Sequence, residues 1–189
     1  MTITAKEHAR TEAIRQRREL SAQEVREAAQ GLASHDWASI CGGALVTAYA
    51  SMPGEPPTGE LRKTLADLGC NVALPIMRPD AHLEWGWDGQ ELTQNSYGIF
   101  EPAVAHINVY EAKVMFIPAL QVGVDGTRLG RGAGYFDRFL EHVPRYIDGG
   151  PRRIVVAYDH EVVDSVPHEL HDAPFDMIAT PTRLITTTE

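Results

Sequence analysis

Five short apolar runs constrain the fold more than any other feature of this chain. They are Ala44–Tyr49 (ALVTAY), Asn71–Ile76 (NVALPI), Val114–Pro118 (VMFIP), Arg153–Tyr158 (RIVVAY) and Asp176–Thr180 (DMIAT). Nearly continuous hydrophobicity, rather than alternation, marks strands buried on both faces, as in a parallel sheet covered by helices. Between the first two runs lie the turn-rich Ser51–Pro57 and a helical stretch that Thr58 is placed to cap and Gly69 to end. Strand, helix and strand at this spacing predict a parallel βαβ unit. His82–Trp87 alternates weakly, as an edge strand does, and residues 92–107 read as irregular. At the amino terminus, Thr4–Arg18 lacks Pro and Gly and predicts a helix. Ser21 with Glu24 forms a capping box that starts a second helix running to about Ser34. No repeat, low-complexity tract or composition break divides the 189 residues. The expectation is one α/β domain over 1–189, with helices covering a mostly parallel sheet and the helical segment 1–34 packed on it.

Charge narrows the function. The chain carries −9 overall, yet residues 1–26 hold six basic side chains against four acidic ones, so the remainder carries −11. That surface disfavours nucleic acid and repels small anions unless cations and backbone N–H groups are gathered locally. No apolar run approaches the ~20 residues that span a bilayer, so no membrane association is expected. Cys41 and Cys70 are too few for a disulfide scaffold and suit a reducing cytoplasm.

The gathering point is Asp125–Arg138 (DGTRLGRGAGYFDR). Alternating Gly130, Gly132 and Gly134 remove side chains and let backbone amides converge on an anion. Arg128 and Arg131 supply forked donors for phosphate oxygens. A helix expected over Tyr135–His142 adds about half a positive charge at its start. The segment is neither a Gly-x4-Gly-Lys-Ser/Thr loop nor a dinucleotide fingerprint. Asp137 is placed to compensate the helix start or to ligate a magnesium ion. Asp172 is a second candidate carboxylate, although spacing alone does not bring it near Asp137. His168-x-x-His171 lacks the companions of a zinc site and reads as a solvated loop. Cys70 reads as core packing, Trp85 and Trp87 as packing rather than ring stacking, and Glu101 before Pro102 as a turn anchor.

With these residues together, the chain resembles the 5-formyltetrahydrofolate cyclo-ligases (5,10-methenyltetrahydrofolate synthetases). The resemblance is carried by Lys6-x-x-x-Arg10, Arg18-x-Leu20-Ser21, the segment from Ser51 to Glu60, Tyr97-Gly98-Ile99 with Glu101-Pro102, and Pro118-Ala119-Leu120. Its most specific part is Arg128-Leu129-Gly130-Arg131-Gly132-x-Gly134-Tyr135-x-Asp137, and Val166-Pro167 with His171-Asp172 completes it. It implies a three-layer α/β/α sandwich and an ATP- and magnesium-dependent enzyme that forms 5,10-methenyltetrahydrofolate and releases ADP and phosphate. Lys6, Arg10 and the run Arg128, Leu129, Gly130, Arg131, Gly132, Ala133, Gly134, Tyr135 and Phe136 are implied to hold ATP, with Lys6 and Arg131 acting on the transferring group. Asp137 and Asp172 match the metal positions. Ala50 and Glu55 match the folate position, and Tyr97 is expected to line the pterin pocket. Ala133 and Phe136 depart from relatives that carry Gly or Lys, and Tyr, at those positions. The partners expected are small molecules only, on a monomer or at most a dimer. Two alternatives remain at this point: a non-catalytic folate or nucleotide sensor, and a sugar-phosphate isomerase or coenzyme A transferase on a similar fold.

Overall fold

Helix formation begins where the capping chemistry allows it. Thr4 and Ser21 each form a full capping box, with Glu7 and Glu24, and start α1 (Ala5–Glu19) and α2 (Ala22–Ala33). A short α3 (Trp37–Cys41), which the sequence did not signal, leads into β1 (Leu45–Thr47). Next come α4 (Gly59–Asp67), β2 (Asn71–Met77), β3 (Leu83–Trp87), β4 (Leu92–Gln94) and β5 (Phe100–Pro102). The second half contains β6 (Val114–Pro118), β7 (Gln121–Gly123), β8 (Arg128–Leu129), α5 (Tyr135–Leu140) and β9 (Arg152–Val156). It ends with β10 (Val162–Val163), β11 (Met177–Ala179) and β12 (Leu184–Thr186). This computed structural model describes residues 4–169 and 172–187.

The main sheet has seven strands in the order β12-β11-β9-β6-β1-β2-β3. The five central strands are parallel, while β3 and β12 close the edges antiparallel to β2 and β11. Alternate residues of each strand feed opposite cores. Val46, Val72, Val114, Phe116, Ile154 and Val156 pack beneath Leu32, Trp37, Leu61 and Leu65 of α2, α3 and α4. Met115, Ile117, Val155 and Ile178 pack on the other side with Leu140 of α5 and Val122 of β7. The three-layer α/β/α sandwich is thus present. Its second outer layer is thin, made of the short α5 and a small sheet of β10, β7 and β8.

Three local expectations change. Residues 128–129, expected within a continuous loop, form β8 against β7. Residues 92–102, expected to be irregular, form the β4–β5 hairpin. Thr58 sits at the start of α4 but makes no capping bond. Its hydroxyl donates instead to Tyr49 O, and its amide donates to Ser51 Oγ at 2.7 Å. The side chain is spent on closing the Ser51–Thr58 loop, which carries Glu55.

Candidate active site

The parallel strands run outward in both directions from the β1/β6 boundary: β1 leads to β2 on one side, and β6 leads to β9 and β11 on the other. Diverging connections leave a crevice at the carboxyl ends of such neighbours, which is where open α/β sheets bind ligands. Tyr49 and Ala50 follow β1, Pro118 ends β6, and both sides open into this crevice. The glycine-rich segment lies across it and divides it into two chambers.

The first chamber is polar. Thr4, Lys6, Glu7 and Arg10 of the α1 region face Arg128, Leu129, Gly130, Gly132, Gly134, Asp137, Glu169 and Asp172. Lys6 Nζ donates to Asp172 Oδ2 at 2.8 Å and lies 3.2 Å from Glu169 Oε2. Burial pulls the Lys6 pKa down, but these two carboxylates outweigh it and raise the pKa above the usual lysine value. Arg10 Nε donates to Gly130 O at 3.0 Å. Arg128 pairs with Asp137, whose Oδ1 also accepts from the Ala173 amide at 3.3 Å. So the amino-terminal cations, the glycine segment and both candidate carboxylates, separated by up to 166 residues, share one wall.

Glycine is favoured here by backbone conformation, and guanidinium groups lie close beside it. A Cβ at Gly132 would stand 3.4 Å from Arg10 Cζ, and one at Gly134 would stand 3.2 Å from Arg138 Nη1. Both residues also hold positive φ, +102° and +72°. Ala133 stays out of the left-handed region and its carbonyl accepts from Arg138. The helix α5 has only six residues, so side-chain cations and exposed amides, rather than a long dipole, make the positive field.

The second chamber is apolar. Ala50, Met52, Pro75, Met77, Leu83, Ile99 and Phe100 line it, and Arg131, Ala133, Tyr135 and Phe136 reach it from the far side of the glycine segment. Arg128, Gly130, Gly132, Gly134 and Asp137 border both chambers. Across the apolar one, Arg131 Nε donates to Glu55 Oε1 at 3.0 Å. Glu55 is buried, and its Oε2 accepts from the Met52 amide at 2.9 Å. Tyr135 donates its hydroxyl to Arg78 O at 3.1 Å, tying the β2–β3 turn to the same wall.

The structure does not bring Tyr97 into the chamber lining. The residue is 63% exposed, because Asn95 Oδ1 accepts from the Tyr97 and Ile99 amides and the chain reverses at Gly98 (φ +78°). Ile99 and Phe100 of the same segment line the chamber instead. Trp85 is buried 5.1 Å from the ring of Phe139, and Trp87 is partly exposed near Cys70 and Asp88, where it pairs with Ala73 of β2; neither lines this crevice. Cys41 and Cys70 are buried free thiols, and burial pushes Cys41 up to about 12. His171 lies outside the described residues.

Comparison with known proteins decides the family. Residues 2–181 match the model of the 5-formyltetrahydrofolate cyclo-ligase family. The chain belongs to this family. It is 34% identical to the cyclo-ligase of Mycolicibacterium smegmatis, covering 97% of each chain. It is 29% identical to that of Haemophilus influenzae, over 94% of this chain and 99% of the relative. Among solved structures, the 5,10-methenyltetrahydrofolate synthetase of Aquifex aeolicus superposes with a TM-score of 0.81 at 22% identity, covering 98% of this chain and 94% of the other. The Mycoplasma pneumoniae synthetase gives 0.72 at 18% identity, covering 94% and 99%. Both structures share the fold.

Behind the site, this cyclo-ligase carries a buried network that the sequence reading missed. Arg17 Nε and Nη2 donate to Glu161 Oε1 and Oε2 at 2.5 and 3.0 Å. Arg17 also donates to Ala119 O, just beyond β6. Glu161 Oε2 accepts from the Tyr158 amide at 2.9 Å, and the Tyr158 hydroxyl donates to Glu55 O at 3.1 Å. Burial holds the Tyr158 hydroxyl up to about 12, so it stays a proton donor at neutral pH. The network links the helix that carries Lys6 and Arg10 to the loop that carries Glu55. One signal was available: Lys6, Arg10, Ala13 and Arg17 recur at helical spacing on one stripe, and Ala13 and Arg17 are its buried members.

Proposed function

We propose that this cyclo-ligase converts 5-formyltetrahydrofolate to 5,10-methenyltetrahydrofolate with ATP and Mg²⁺, releasing ADP and phosphate. The observation that carries the reading is the shared glycine wall. A polar chamber rich in cations suits a triphosphate, an apolar chamber suits a flat ring system, and the two meet where a phosphoryl group would pass between them. A formamide carbon is a poor electrophile whose oxygen leaves badly. In the proposed route the formyl oxygen attacks the γ-phosphorus, the bond from phosphorus to the bridging oxygen breaks, and ADP departs. N10 then bonds to the activated carbon and passes its proton to the Glu55 carboxylate, from which it goes to water, and the C–O bond breaks to expel phosphate. Such a transfer needs positioning and charge neutralisation rather than a protein nucleophile.

Each residue has a part in this reading. Lys6, Arg10 and Arg128 hold the phosphates with the amides of residues 129–134. Arg131, at the border, neutralises charge on the transferring group. Glu55 accepts a hydrogen bond from the folate at N10, held in position by Arg131, the Met52 amide and Tyr158. Ala50 leaves room for the ring. Asp137 and Asp172 would hold Mg²⁺. No group of three or more His, Cys, Asp or Glu side chains among the described residues could cage a metal. Two carboxylates beside a phosphate chamber fit an ion that keeps water and substrate phosphates as its other ligands. When bound, the ion supplies charge neutralisation on the phosphate oxygens. The unpaired buried thiols accord with a reducing cytoplasm as the place of action. Among the described residues no helix is long and apolar enough to cross a membrane.

The test is to follow methenyltetrahydrofolate absorbance with ATP and Mg²⁺ each omitted in turn. Product is expected only with both present, and formation without ATP overturns the reading. Asp137→Asn is expected to raise the Mg²⁺ concentration for half-maximal rate about tenfold or more, with folate binding retained. An unchanged Mg²⁺ titration would remove Asp137 from the metal site.

A further inference from the structure

We propose that Glu101 selects the pterin end of the substrate, through the carboxylate oxygen left unpaired at the apolar chamber. The inference rests on the reading that this chamber takes the folate. Glu101, in the middle of β5, is only 6% exposed, yet it lines the chamber beside Pro75, Met77 and Phe100. Its Oε1 is fully engaged, accepting from the Met77 amide at 2.8 Å and from Asn95 Nδ2 at 2.7 Å. Oε2 accepts no hydrogen bond from any described residue, and no described cation pairs with the carboxylate.

A turn anchor explains Oε1 and leaves Oε2 unexplained. Oε2 is not among the sealed, unpartnered polar atoms, so it opens onto the chamber, and a ligand that displaces water from it must bring a donor in exchange. The group is also preorganised: Asn95 is itself fixed by the Tyr97 and Ile99 amides, so the carboxylate plane is held before any ligand arrives. The matching chemistry is a flat heteroaromatic ring whose edge presents N–H donors. In a pterin, N3–H and the 2-amino group form that edge; the one open oxygen is assigned to the 2-amino group, and the surrounding Pro, Met and Phe side chains suit the ring faces. Glu101 is therefore a specificity determinant, remote from the formyl carbon, and its loss weakens binding of the folate without touching the nucleotide side.

The experiment compares equilibrium binding of 5-formyltetrahydrofolate and its 2-desamino analogue to the wild-type protein and to Glu101→Gln. The glutamine keeps a carbonyl oxygen for Met77 and Asn95 but replaces the idle acceptor with an N–H₂ donor. The wild type is expected to prefer the 2-amino compound at least tenfold, as for a hydrogen bond to a charged group. Glu101→Gln is expected to lose that preference, weakening the 2-amino compound at least tenfold and the analogue little, with KM for ATP unchanged. Equal wild-type affinity for the two compounds sinks the proposal without any variant, as does an equal loss for both in Glu101→Gln. If the wild type binds neither folate, the assignment of the chamber falls as well. Binding and turnover without the preference removes Glu101 alone.

Discussion

Arg131→Ala is expected to slow methenyltetrahydrofolate formation by about 10- to 150-fold, the equivalent of a charge-assisted hydrogen bond worth about 1.5–3 kcal/mol. Arg131 stands where the chambers meet, and Glu55 is its partner at 3.0 Å. The Arg131 side chain is 38% exposed while that of Glu55 is 7% exposed. Removing the arginine leaves a buried carboxylate without its countercharge and, on the proposed route, also takes a cation from the transferring phosphoryl group. A double-mutant cycle with Glu55→Gln separates the two effects. If the cation acts on the phosphoryl group, Arg131→Ala lowers kcat in both backgrounds. If Arg131 serves only to neutralise Glu55, the loss disappears once Glu55 is neutral. Arg131→Lys keeps the charge but not the planar fork, and is expected to recover only part of the rate. A near-normal kcat in Arg131→Ala would remove the residue from the mechanism.

Glu161→Ala is expected to destabilise the fold by about 3–5 kcal/mol, because it strands a buried arginine. The side chains of Arg17 and Glu161 are 3% and 1% exposed. Burial opposes the charge on Arg17, but Glu161 outweighs it and raises the guanidinium pKa. Arg17 Nη1 is buried without a hydrogen-bond partner, so the pair is already imperfectly satisfied. Its replacement by apolar side chains of similar volume, Arg17→Met with Glu161→Leu, is expected to recover most of the loss in urea denaturation. The double variant should nevertheless show a raised KM for ATP. The pair fixes α1, and hence Lys6 and Arg10, to the end of β6 through Ala119 O. Unchanged stability in Glu161→Ala would show that the pair adds nothing to the fold.

The two chambers arise from one economy of construction. A segment that alternates glycine with larger residues presents its bare backbone to the cations of α1 and its side chains, Arg131, Ala133 and Phe136, to the apolar side. Ala133 and Phe136 fall on the apolar side of that wall and do not line the polar chamber. Gly132 and Gly134, which lie beside Arg10 and Arg138 at positive φ, are the positions where a side chain would strain the backbone of that wall.

Much of this was legible in the sequence, for local reasons. The apolar runs are strands buried on both faces, since Val114 and Phe116 enter one core and Met115 and Ile117 the other. Capping chemistry set the starts of the first two helices, and the glycine alternation marked the wall between the two chambers. What only tertiary structure decided are the pairings: Lys6 with Asp172, Arg131 with Glu55, and Arg17 with Glu161. Tyr97 turned outward and Glu101 inward for the same reason, since the fold of the β4–β5 hairpin chose which side chain meets the chamber. Periodicity and capping act over a few residues, whereas an ion pair across 166 residues depends on which strand ends reach the same edge of the sheet. No spacing along the chain encodes that edge.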